Sequence, residues 1–178
     1  MNNPYTEFVN FFKKHNLYDV NIFNYLRYNS IQFDYHDDEK RPYIGYHYLT
    51  DKNDILTKIK LYVPYIDSHK TILINIHEYI HGIILYNKLE KKFKQEIDSE
   101  ILPILYEKIY LLENPSKELE DFLNYLNNRI TKDNLNLIQY KIALEVQDEM
   151  LKYYNEEKPT FIDLQKKAKK LSRRYKHK

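Results

Sequence analysis

Residues 71 to 85 read TILINIHEYIHGIIL, and no other stretch limits the fold as much. Isoleucine and leucine at helical spacing demand a buried helix face, yet His77, Glu78 and His81 stand in the same run. Buried polar groups need partners, so whatever folds around this segment has to accommodate them. Gly82, one of only two glycines in the chain, follows at once. It lets a backbone or a ligand approach closely, at a helix-propensity cost of about 1 kcal/mol relative to Ala.

Histidines four apart lie one turn above each other on one helix face, so the imidazoles of His77 and His81 can converge on a single ion. Zinc suits such a pair. Glu78, beside the first histidine and outside the coordination sphere, is placed to take a proton from a water on the metal. The chain has no cysteine, which leaves His, Asp and Glu as the available metal ligands. A tetrahedral catalytic site needs a third protein ligand and leaves the fourth position to water. Glu96 and Asp98 are near in sequence. Glu100 is the stronger candidate, because it shares a helix face with Glu107, seven residues on, and stands beside the apolar run ILPILYEKIYLLE.

Periodicity gives the surroundings. Residues 4 to 28 show apolar spacing for one or two helices, with Phe8, Phe11, Phe12, Val20, Phe23 and Leu26 inward. From 43 to 63 the period becomes two: Ile55, Thr57, Ile59, Leu61 and Val63 alternate with Lys58, Lys60 and Tyr62, after a polar TDKND turn. That predicts a β-hairpin with one buried face. A second strand lying at the sheet edge would let a peptide add to it. Asp67 or Ser68 caps a helix over 69–89 that carries the motif. Pro103 is tolerable in the first turn of the next helix if Asp98 or Ser99 caps it. Pro115 and Ser116 open a helix with Leu119, Phe122, Leu123, Leu126 and Ile130 on one stripe. Asp133 opens another that reaches Tyr154, and Thr160 with Asp163 forms a capping box for the last. His36, His47 and His69 read as surface or structural, although the strand bearing His47 could reach a cleft. The fold class is α+β, mostly α-helical. No repeat, linker or domain boundary is visible, so residues 1–178 read as one domain.

Formal charge is +2 for the whole chain, but residues 166–178, KKAKKLSRRYKHK, hold eight Lys or Arg and no acid. This tail reads as a solvated helix end favourable to the helix dipole rather than as a nucleic-acid contact. The amino terminus lacks the features of a signal peptide, and no run approaches a membrane span. A cytoplasmic protein with no membrane partner is expected.

The motif HEYIHG followed by SEILPILYEKIY resembles the gluzincin metallopeptidases, and within them the oligoendopeptidase F and thimet oligopeptidase group. The likeness runs from about residue 70 to 110, with a weaker echo at LIQYKIALEVQDEML. It implies a small zincin-like domain, with a hairpin or small sheet packed on the active-site helix and a second helix bearing a ligand. It implies Zn2+ held by His77, His81 and Glu100, with Glu107 steadying the ligands without binding the ion. Tyr140 becomes, by that resemblance, the donor that stabilises the oxyanion. The relatives are several times larger and carry a further histidine soon after the motif; here position 84 is Ile, and position 143 is Ala where they have glycine-containing loops. The expected function is zinc-dependent hydrolysis of a peptide or protein substrate, with Glu78 as general base. The alternatives are a non-catalytic relative that keeps the metal and binds a peptide or protein, and a nucleic-acid-associated protein acting through its tail.

Overall fold

A computed structural model of the chain describes residues 3–36, 43–89, 100–133 and 137–176. Eight helices and one three-stranded sheet lie among the described residues, an α+β fold dominated by helix. None of these helices is long and apolar enough to cross a membrane. The chain divides into two compact units, Met1–Ile97 and Asp98–Lys178.

The first unit opens with α1 (Pro4–Lys14) and α2 (Val20–Tyr28). Asn3 and Asp19 cap them: Asn3 Oδ1 accepts from the Tyr5 amide at 2.9 Å, and Asp19 Oδ1 from the Asn21 amide at 2.8 Å. Their inward rings meet a ring of the motif helix, with Phe8 to Phe12, Phe8 to Tyr79 and Phe12 to Phe23 all 5.0 Å apart between centroids.

Strands β1 (Ser30–Phe33), β2 (Gly45–Thr50) and β3 (Leu56–Pro64) form a sheet in the order β1-β3-β2. The expected hairpin is present, β2 running antiparallel to β3 with Tyr46 opposite Leu61 and Tyr48 opposite Ile59. The strand over 55–63 is the central one, not an edge, because β1 pairs with its other side in parallel, Ser30 opposite Leu61. The inward set also differs at one end. The register slips between Leu49 and Thr50, as in a β-bulge, and one extra residue reverses which side chain points inward. Leu56 is therefore buried and Thr57 exposed, whereas Ile59, Leu61 and Val63 are inward as the alternation predicts.

Helix α3 (His69–Tyr86) packs on β3 and carries the motif. Ser68 is its cap: the Thr71 amide donates to Ser68 Oγ at 3.3 Å, and the Ser68 amide donates to Thr71 Oγ1 at 3.0 Å. Asn75 joins helix to strand, its Nδ2 donating to Pro64 O at 3.0 Å and to Thr71 O at 2.9 Å. From Thr71 to Leu85 every residue of α3 except His77 is buried.

The second unit holds α4 (Ile101–Glu113), α5 (Lys117–Asp133), α6 (Leu137–Glu145), α7 (Gln147–Glu157) and α8 (Phe161–Lys176). Glu100 is the N-cap of α4, which puts Pro103 in the first turn, where the missing N–H costs nothing. Asp98, Ser99 and Glu96 lie outside the described residues, as does the side chain of Ile130. The segment expected as one helix from Asp133 to Tyr154 is two: Asp133 ends α5, and α6 breaks from α7 at Val146. At that junction the Gln147 side-chain amide donates to Ala143 O at 2.8 Å and to Ile101 O at 3.1 Å, binding the break to the start of α4. The capping box before α8 is formed, with Thr160 Oγ1 donating to Asp163 Oδ2 at 2.6 Å and the Asp163 amide donating to Thr160 Oγ1 at 3.3 Å.

Candidate metal centre

On α3 the two histidines of the motif face each other, His77 Nε2 and His81 Nε2 lying 3.2 Å apart. Two nitrogens bound at about 2.0–2.1 Å with a tetrahedral angle between them stand about 3.3–3.4 Å apart. The observed pair is thus at the spacing of two ligands on one small ion. In a metal-free chain the same spacing lets one ring donate to the other, according to tautomer. His81 is 1% exposed and His77 is half-buried.

Glu78 follows His77 and is buried, 6% exposed. Its negative charge reaches Tyr43: burial first, and then the Glu78 charge, hold that phenol above its ordinary pKa. The ring of Tyr46, from β2, lies 4.7 Å from the His81 ring between centroids, tilted by 37°.

The remaining candidates belong to the second unit. Glu100 is half-buried at the head of α4, and Glu107, two turns on along the same face, is 4% exposed. Tyr140 on α6 is buried, and its hydroxyl donates to Asn127 Oδ1 at 2.5 Å. Burial foremost, and then the charges of Glu107 and Glu100, push its phenol far above the ordinary range, so it stays protonated at any working pH. The structure thereby places Glu100, Glu107 and Tyr140 in one electrostatic neighbourhood. His77, His81 and Glu100 offer two imidazole nitrogens and a carboxylate oxygen, a group that could hold a metal ion.

Gly82 does something other than admit a ligand. A Cβ there would stand 2.8 Å from both Cδ1 and Cδ2 of Leu26, so the glycine is the space into which α2 packs. The other histidines are elsewhere. His69 Nδ1 pairs with Glu7 at 3.3 Å. His47 packs against Tyr43 and Tyr62, on the sheet face opposite to Tyr46, so it does not turn toward α3. Sequence reading missed Tyr46 and Gln147. Tyr46 shows in the sequence only as one tyrosine in the alternating GYHYLT, and nothing local marks Gln147.

No family model matches the chain, and neither a curated protein nor a solved structure matches it. The likeness to the gluzincins therefore rests on the motif residues themselves.

Proposed function

We propose that the chain is a metal-dependent peptidase, with zinc as its ion, held by His77, His81 and Glu100. The observation that carries this reading is the 3.2 Å approach of the two Nε2 atoms on one helix face, directly beside the buried carboxylate of Glu78. A structural ion needs no such base; a hydrolytic one does. The ion, when bound, supplies Lewis acidity, polarising a carbonyl and bringing the pKa of a water toward neutrality.

The chain's own groups do the rest. His77 and His81 bind through neutral Nε2, which leaves the proton on Nδ1 of each ring. Glu78 accepts the proton of the attacking water and returns it to the leaving amine as the peptide bond breaks. Glu107 steadies the ligand helix from its buried position. Tyr140, kept protonated, exchanges Asn127 for the substrate oxygen as negative charge develops there. With β3 in the centre of the sheet, β2 is the outer strand beside His81, and it is the edge to which an extended substrate would add.

Elemental analysis of purified protein tests the ligand set together with His77→Ala, His81→Ala, Glu100→Ala and Glu78→Gln. The expected result is near-stoichiometric zinc that survives Glu78→Gln and is lost in the other three. A peptide library is then cleaved by the wild type and left intact by Glu78→Gln. Absence of zinc after reconstitution would overturn the reading. Zinc without cleavage would leave a metal-keeping binding protein.

A further inference from the structure

We infer that Tyr46 is a positioning residue for the His81 ligand, its ring fixing the imidazole so that Nε2 rather than a ring carbon meets the ion. This rests on the metal-ligand reading above. Tyr46 lies opposite Leu61 and shares its face of the sheet, so the phenol ring points inward to α3 from β2. There its centroid is 4.7 Å from that of His81, the two ring planes tilted by 37°.

A histidine on a helix has two free torsions, and a half-turn about the second exchanges Nε2 for a carbon. His81 is 1% exposed, so its orientation is set by packing and not by water. Its ring meets that of His77 on its own helix, 4.9 Å between centroids, and that of Tyr46 on the strand. His77 lies on the same helix and is itself a proposed ligand, so it gives no reference from outside α3. Tyr46 is anchored to a different element and gives an independent reference.

The test compares wild type, Tyr46→Phe, Tyr46→Leu and Ile59→Ala in the full chain. Cobalt(II) is the spectroscopic probe, and zinc affinity is read by competition with a chelator. Tyr46→Phe keeps the ring and should bind zinc within about 2-fold of wild type with the same cobalt absorption bands. Tyr46→Leu should bind about 10-fold or more weakly, the range typical of groups that orient metal ligands, with altered bands. Ile59→Ala removes core packing from the central strand and should leave affinity nearly unchanged. Should Tyr46→Leu not fold, Tyr46→Ile, whose branched side chain suits a strand, gives the same reading.

Wild-type affinity in Tyr46→Leu would overturn the inference, as would an equal loss in Ile59→Ala, which would reduce the effect to general stability. An equal loss in Tyr46→Phe would move the role from the ring to the hydroxyl and overturn it too. A wild type that binds neither ion removes the metal reading itself, and this inference with it.

Discussion

Leu26 leaves no room for a side chain at position 82, and the two residues are far apart in sequence. Leu26 is fully buried, so it cannot swing aside into solvent. Gly82→Ala gains about 1 kcal/mol of helix propensity but incurs an overpacking cost of about 1–3 kcal/mol. We expect net destabilisation by about 1 kcal/mol in urea denaturation, partly relieved when Leu26→Val is added, as coupled neighbours require. A Gly82→Ala protein as stable as wild type would show that α2 yields easily. Tyr140→Phe should leave zinc content intact and lower kcat by about 10²–10³, the usual effect of removing one oxyanion donor. Unchanged turnover with bound zinc would return Tyr140 to plain packing.

Between elements, Glu149 clasps α7 to α8: Lys167 Nζ donates to its carboxylate at 2.6 Å, and Arg174 approaches at 3.3 Å. The hydrogen bond from Lys167, more than any other influence, holds the Glu149 carboxyl below its ordinary pKa. Its contribution is therefore present above the unfolded carboxylate range and is lost as pH falls through the lower folded value. Glu149 is 41% exposed, so screening limits the pair to at most about 1 kcal/mol. In thermal unfolding at neutral pH and low salt, Glu149→Gln should lie slightly below wild type, and the gap should close in acid or in high salt. A gap that persists in both would mean the effect is not electrostatic. Much of this element level was legible in the sequence. Thr160 with Asp163 announced α8, Ser68 announced α3, and alternation at Ile59, Leu61 and Val63 announced β3. Strand β1 was not, because SIQF is too short for a period of two to stand out. Nor was the break at Val146, where apolar spacing runs on across the junction and the Gln147 bond to Ile101 comes from another helix. At the candidate site, the His77, His81 and Glu100 group that could hold a metal ion was legible from spacing. Tyr46 and the true neighbour of Gly82 were not, since each depends on which distant element packs on α3.

The whole chain consists of two compact units, and the proposed ligands are drawn from both. Each unit has its own buried core, so calorimetry of the metal-free protein should resolve two transitions. Saturating zinc should raise both, since binding that requires both folded units stabilises both. A shift in the first unit alone would exclude Glu100 as a ligand. The arrangement of the sheet has a further consequence, for time rather than for chemistry. The β2–β3 ladder closes across a turn of a few residues, whereas β1 reaches β3 only after the chain has gone out through β2 and back. Short loops close at lower entropic cost and faster, so the hairpin should be the early event and β1 the late one. Pulse-labelled hydrogen exchange during refolding should protect the His47 amide, which faces β3, before those of Ile31 and Phe33. A newly made chain would thus own the floor beneath its motif helix before the last strand arrives to widen it.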